Sequence, residues 1–239
     1  MAAQQAMLGQ CFFCKGTFSK RGIAQHLRAC PERHKAIAAE KGRKRRLFHI
    51  KVEDAYSPLY WLHIEIGATD TLEDLDDFLR VIWLECCGHL SHFVIGNVYY
   101  ERVLVDSGMG LWQERSMNVR LQDVLEVGDS VKYEYDYGTT SELVVTVVGE
   151  RQGVLRRGDV RVLARNFKPV LPCTVCGKPA AWMDTYEFPP APYCDEHAQE
   201  HEYWEEAFLP LVNSPRTGMC AYVGPEEEEY QFEVLPPQG

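Results

Sequence analysis

Tyr60-Trp61-Leu62-His63-Ile64-Glu65-Ile66-Gly67-Ala68-Thr69-Asp70-Thr71-Leu72-Glu73-Asp74-Leu75-Asp76-Asp77-Phe78-Leu79-Arg80-Val81-Ile82-Trp83 changes its hydrophobic period halfway along. Over Tyr60–Ile66 the apolar side chains alternate, the pattern of an extended strand. From Leu72 they recur as Leu72, Leu75, Phe78, Leu79, Ile82 and Trp83, which is the spacing of one helix face. Thr71 stands where an N-cap belongs, with Glu73 and Asp74 in the turn behind it. Outward from this stretch, Leu47–Val52, His92–Tyr99, Glu101–Asp106, Ser130–Asp136 and Leu143–Glu150 read as further strands, and Asp123 and Leu125 as a short helical turn before Gly128. The expected fold class is α+β: a twisted, mainly antiparallel sheet with one main covering helix, plus two small zinc-binding modules.

Those modules are read from two sets of metal-ligand side chains that bracket the chain. Cys11, Cys14, His26 and Cys30 form a C-x2-C-x11-H-x3-C array, and Cys173, Cys176, Cys194 and His197 form C-x2-C-x17-C-x2-H. Both spacings suit tetrahedral zinc, so two zinc ions are expected. The first array reads as a shortened strand-strand-helix finger, with Phe18 and Ile23 over the metal and with His26 and Cys30 one turn apart on a helix. In the second, Gly177 permits the tight turn of a knuckle, and Cys194-Asp195-Glu196-His197 opens a helix through about Leu209, as in a ribbon or treble clef. His34 and His201 are reserve ligands. The expected domains are 1–34 finger, 35–47 basic linker, 48–168 central domain, 169–212 second zinc module, and 213–239 a loop packing back on the body followed by an acidic tail. With seven or eight of the nine cysteines assignable to metal or apolar positions, thiolates suit a reducing cytoplasm, and no run of about 18 apolar residues offers a membrane span.

The net charge of −10 is unevenly spread: residues 1–46 hold 11 Lys and Arg against Glu32 and Glu40, a charge of +9, which leaves −19 for the rest. A basic arm on an acidic body can meet a polyanion. In the finger, the base-facing positions counted back from His26 are Ser19, Gly22 and Gln25, and only Gln25 can make a paired contact with a base. Lys15, Lys20, Arg21 and Arg28, followed by Lys41, Arg43, Lys44, Arg45 and Arg46, suit phosphate contacts, which predicts sequence-tolerant binding of RNA or DNA. The competing reading is a finger that docks on protein. A second basic stretch, Arg151 to Lys168, reads as a solvated face.

Four blocks carry a resemblance: Ser57-Pro58-Leu59-Tyr60-Trp61, Thr71-Leu72-Glu73-Asp74-Leu75, Gly88-His89-Leu90-Ser91-His92-Phe93 and Tyr133-Glu134-Tyr135-Asp136-Tyr137-Gly138. Over most of residues 48–150 the chain resembles the plasmid pRiA4b ORF-three family, whose members are also labelled transposon passenger proteins. The resemblance implies an α+β fold of bacterial type and no particular activity. Where members commonly continue with an acidic residue, Trp and His, this chain has Thr139, Thr140, Ser141 and Glu142.

Cys86, Cys87, His89, His92 and Asp136 invite a hydrolase or nuclease reading. Against it, neighbouring cysteines on a regular backbone point apart, and Cys beside Trp83 and Leu84 is most often a small buried residue. If the central domain binds a ligand, the groove beside the helix end is the expected place. The segment Asn213 to Gly224 reads as a loop packed back on the sheet, with Arg216 paired to a carboxylate. The sequence therefore favours a noncatalytic zinc protein that contacts nucleic acid, over a protein–protein adaptor with structural zinc and over a hydrolase.

Overall fold

The computed structural model describes residues 7–104 and 113–225. Ten strands form one sheet in the order β2-β1-β10-β4-β3-β9-β8-β5-β6-β7. They are β1 (Leu8–Cys11), β2 (Thr17–Ser19), β3 (Arg45–Asp54), β4 (Trp61–Gly67), β5 (Ser91–Ile95), β6 (Val98–Glu101), β7 (Gln113–Ser116), β8 (Ser130–Tyr135), β9 (Ser141–Gly153) and β10 (Val160–Asn166). Every pairing is antiparallel except β6 with β7. A separate three-stranded sheet, β12-β11-β13, is built from β11 (Trp182–Asp184), β12 (Ala191–Tyr193) and β13 (Phe208–Pro210). The fold is α+β with few helices. Among the described residues, no helix is long and apolar enough to cross a membrane.

The centre of the sheet has apolar layers on both sides, and β4 shows why. All seven of its residues are buried, because alternate side chains serve different layers. Leu62, Ile64 and Ile66 join Phe48, Ile50 and Val52 of β3, Leu143, Val145 and Val147 of β9, and Tyr133 and Tyr135 of β8 in the main core. The helix α3 (Leu72–Leu79) adds Leu72, Leu75 and Leu79 to that core, and a π-helical turn, Arg80–Leu84, adds Ile82 and Trp83. Thr71 caps α3 through a capping box: its hydroxyl accepts the Asp74 amide at 3.1 Å, and the Asp74 carboxylate accepts the Thr71 amide at 2.7 Å. Trp61, on the other side of β4, packs with Ile23 and Leu27 of α1 (Ile23–Ala29), with Leu163 and Ala164 of β10, and with Cys11 and Cys30.

Three expectations are corrected. His92–Tyr99 is not one strand, because Gly96-Asn97, with Gly96 at φ 60°, turns β5 back on β6 as a hairpin. β6 ends at Glu101, so Glu101–Asp106 is not a strand in its own right, and the end of that stretch lies outside the described residues. The linker expected over 35–47 is much shorter, since α2 (Pro31–Ala39) runs into it and β3 begins at Arg45. The stretch expected as a second solvated face contains β10. This strand pairs with β1 on one side and β4 on the other, which makes the finger strands part of the main sheet.

The ion pairs of this face are internal. Glu65 on β4 takes Arg33 of α2 at 2.7 Å and Arg151 at 2.6 Å, while Glu40 takes Arg151 at 2.8 Å and Arg161 at 2.7 Å. Burial would raise the Glu40 carboxyl, but hydrogen bonds from Arg151, the Val154 amide and Arg161 outweigh it and hold the group down at about 2.

Candidate metal centres

The first quartet is assembled by β1, the turn after it, and the junction of two helices. Cys11 ends β1, Cys14 lies in the turn, His26 sits on α1, and Cys30 stands between α1 and α2. The four donor atoms lie within 4.8 Å of one another, with Cys14 Sγ 3.3 Å from His26 Nε2 and Cys11 Sγ 4.0 Å from Cys30 Sγ. A tetrahedral ion with metal–sulfur bonds of about 2.3 Å has sulfur–sulfur edges of about 3.8 Å, so the donor set fits a metal. Cys30 reaches the site differently from the expectation: its backbone is extended (φ −65°, ψ 116°), and it ends α1 instead of lying a turn beyond His26 within it. That position makes it the N-cap of α2. Burial would raise its thiol, but the amides of Arg33 and Glu32 and the neighbouring sulfurs draw it down, which favours the thiolate a metal needs. Phe18 stacks on the His26 ring at 3.6 Å between centroids. His34 points elsewhere, with Nε2 2.8 Å from the Arg28 carbonyl.

The second quartet repeats the device. Cys173 and Cys176 flank a turn in which the Gly177 amide donates to Cys173 O at 2.9 Å with Gly177 at φ 72°. Cys194 is the N-cap of α5 (Asp195–Gln199), which carries His197; α4 is the short turn Leu121–Val124. Cys173 Sγ lies 3.7 Å from His197 Nδ1, Cys176 Sγ 3.7 Å from Cys194 Sγ, and Cys194 Sγ 3.2 Å from His197 Nδ1. Burial opposes ionisation of Cys173, yet the amides of Cys194, Cys176 and Val175 bring its thiol to about 6. The helix expected to run to about Leu209 is broken: α5 stops at Gln199, a short turn, Trp204–Ala207, follows, and Phe208 enters β13. His201 is outside the quartet, 3.9 Å from Asp184 and accepting the Tyr203 amide at 3.3 Å.

A third convergence has no counterpart in the spacing of the sequence. Cys86, Cys87 and His89, at the end of the π-helical turn, meet Cys220 from the C-terminal segment. The adjacent cysteines, expected to point apart, converge because the backbone is not regular there. Glu85 leaves the helix at ψ 122°, its carboxylate accepts the Gly88 amide at 2.5 Å, and Gly88 turns at φ 76°. His92 does not join this group: Nε2 lies 2.7 Å from Glu134, and Nδ1 lies 2.7 Å from the Tyr137 hydroxyl. Asp136 is held by Arg216 at 2.6 Å and lies 3.5 Å from His89 Nε2, so two of the three residues of the hydrolase reading meet while His92 stands apart from them. Beside His89, a cavity of about 400 Å³ is lined by Asp77, Arg80, Glu85, Leu90 and Arg102, at the helix end where a groove was expected.

The basic residues divide into two sets. Lys20 is 3.0 Å from Glu53 and donates to Pro58 O, Arg45 pairs with Asp70, and Arg46 pairs with Glu150. Lys15 lies over the Phe12 ring at 5.1 Å. Arg21, Arg28, Lys41, Arg43 and Lys44 are exposed and enter no ion pair among the described residues, and Gln25 is exposed beside them. The Ser19 hydroxyl accepts the Gly22 amide at 3.1 Å. Between the start of α1 and the sheet lies a cavity of about 460 Å³ lined by Lys20, Arg21, Ala24, Lys51, Glu53 and Pro58. The first turn of the finger helix therefore faces its own sheet. In the second basic stretch, Arg151 and Arg161 are neutralised by Glu40 and Glu65, and Arg165 is buried and donates to Asn213 O.

The chain matches the family model described as plasmid pRiA4b ORF-3-like protein over residues 46–208. The matched span takes in Cys86, Cys87, His89 and the whole second quartet, and leaves out the first quartet and Cys220. No curated protein matches the chain. A crystal structure of a protein of unknown function, MM3350 from Methanosarcina mazei Go1, is 16% identical, covers 70% of this chain and 88% of its own, and superposes with a TM-score of 0.43.

Proposed function

We propose that this chain, which belongs to the plasmid pRiA4b ORF-3-like protein family, is a zinc-stapled binding protein that contacts the phosphates of RNA or DNA without reading their sequence. Zinc is the ion best matched by two quartets of three thiolates and one imidazole each. The observation that supports phosphate contact is the exposure of Arg21, Arg28, Lys41, Arg43 and Lys44 without carboxylate partners among the described residues, on a chain whose net charge is −10. Sequence reading is disfavoured because Lys20 and Arg21 at the head of α1 border the cavity against the sheet, and Ser19 spends its hydroxyl on Gly22. Arg45 and Arg46, each held by a carboxylate, contribute less to such a surface.

Titration of the full chain against short RNA and DNA across a salt series tests this. Affinity should fall steeply with salt, and the Arg43→Glu/Lys44→Glu variant should weaken binding to all sequences alike while reducing the salt slope by roughly 1 for each phosphate it no longer neutralises. Binding that is absent, or indifferent to salt, rejects the reading. One observation favours a protein contact elsewhere: Tyr186, Phe188 and Tyr203 of the second module are exposed, Phe188 at 94%.

A further inference from the structure

The sequence suggests two metal sites, yet three sulfurs and one imidazole nitrogen that belong to neither also converge. We propose that Cys86, Cys87, His89 and Cys220 form a third metal centre, which takes a tetrahedral, thiophilic divalent ion of the zinc class and ties the C-terminal segment to the end of the π-helical turn. All four donor atoms lie within 4.8 Å of one another. Cys86 Sγ is 3.7 Å from Cys87 Sγ, Cys87 Sγ is 3.6 Å from Cys220 Sγ, and His89 Nε2 is 3.0 Å from Cys87 Sγ and 3.1 Å from Cys220 Sγ. These separations are close to the 3.2 to 4.0 Å found in the two quartets whose spacing already marks them as ligands. A disulfide between Cys87 and Cys220 would use two of the four donors and leave a sulfur and an imidazole gathered for nothing.

The surroundings suit the charge of such a centre. Three thiolates and a divalent cation carry −1, and the fully buried Arg216 guanidinium lies against them, donating to Cys86 Sγ at 3.6 Å and to Asp136 at 2.6 Å. Asp136 Oδ2 also comes within 3.5 Å of His89 Nε2, on the side of the sulfurs, where Arg216 holds it. The Tyr135 hydroxyl reaches Cys86 Sγ at 3.8 Å. Of these outer groups, Arg216 offsets negative charge on the sulfurs, and the Tyr135 hydroxyl helps to orient Cys86. Cys220 and Ala221 hold φ of 46° and 56°, a left-handed backbone that L residues other than glycine adopt at a cost and that a metal–sulfur bond would offset.

Exposure sets this centre apart. Cys87 and Cys220 are both exposed, whereas the second quartet exposes only Cys176 among its sulfurs and the first exposes none, so the ion of this third centre should exchange most readily.

Zinc content of the full-length protein, purified reduced and without chelator, decides the matter. Three equivalents per chain are expected. Cys220→Ser should bring the content to two, and Cys11→Ser and Cys173→Ser should each remove a different single equivalent, so failure of the third centre is distinguishable from failure of the first two. Cadmium-loaded protein should give three 113Cd resonances, one of which disappears in Cys220→Ser and moves toward the all-sulfur range in His89→Cys, a variant that keeps four ligands. Two equivalents in both wild type and Cys220→Ser overturn the proposal, as does a His89→Cys spectrum in which no resonance moves. A Cys87–Cys220 disulfide in protein isolated without reductant, with zinc content indifferent to Cys220→Ser, overturns it as well.

Discussion

Arg216 shows how much one side chain settles in this molecule. It is wholly buried, pairs with Asp136 at 2.6 Å, donates to Thr139 O at 2.9 Å and Ser141 Oγ at 3.2 Å, and lies over the Tyr135 ring at 4.9 Å. Arg216→Ala removes the partner of a buried carboxylate and should destabilise the fold by about 3–5 kcal/mol in denaturant titration, since an uncompensated buried charge costs that much. A loss below about 1 kcal/mol, the value of an ordinary exposed pair, would show that the loop is not anchored by this one. A carboxylate partner was expected because Arg216 lies amid acidic sequence, but which carboxylate was not legible, since Asp136 stands 80 residues away. Cys220 was not legible either. Ligands two to four residues apart advertise a site through spacing, but Cys220 stands 131 residues from His89, and no local pattern encodes a contact over that separation.

Among the elements, the contact of α2 with the sheet is sensitive to pH. Two effects act in the same direction on acidification, in different windows. His49 on β3 and His63 on β4 meet at 2.9 Å; burial, reinforced by Arg33, pushes His49 down to about 4, and burial takes His63 well below the usual range. The unfolded chain takes up these protons near pH 6.5, while the folded chain refuses that of His49 until about pH 4 and likewise resists protonation of His63, so stability falls as pH drops below about 6.5. At about 1.4 kcal/mol per pH unit and site, the loss by pH 5 from His49 is on the order of 2 kcal/mol. Glu40, held at about 2, stabilises fully above its unfolded value near 4.5 and loses that contribution as pH falls toward 2. Thermal melts between about pH 7 and 3 should therefore decline from about pH 6.5 onward, and His49→Gln should flatten the upper part of the curve while sparing the lower. A melt independent of pH from about 7 to 5 would refute the assignment. Elements were legible in the sequence where the period was clean, as in β4 and α3. They were obscured where it was interrupted: β10 has a register shift between Val162 and Ala164 and carries Arg161, Arg165 and Asn166, which are ion-paired or buried, so it reads as a charged surface.

At the scale of the whole molecule, the finger is joined to the body by hydrogen bonds, by Trp61 packed among its apolar residues, and by Arg33 on Glu65. Removing residues 1–44 strips one side of β4 and leaves Trp61 and Glu65 facing water and β10 an open edge. The shortened chain should show red-shifted tryptophan emission, a lower melting temperature and a tendency to self-associate. An unchanged melting temperature would mean that the finger is an independent attachment. The asymmetry of charge belongs to this scale too. Much of the positive excess of the first 46 residues is absorbed by Glu53, Glu65, Asp70 and Glu150, and the remaining exposed cations lie on the finger and the segment that follows it. The acidic run Glu226 to Glu229, expected as a mobile tail, lies outside the described residues. The pairing of β1 with β10 has a consequence for biosynthesis. The finger leaves the ribosome ahead of the strand it must sit beside, Val160–Asn166, which emerges about 150 residues later. Metal capture by the nascent finger would keep that small unit ordered through the wait, so that synthesis of β10 closes the sheet onto a piece already shaped to receive it.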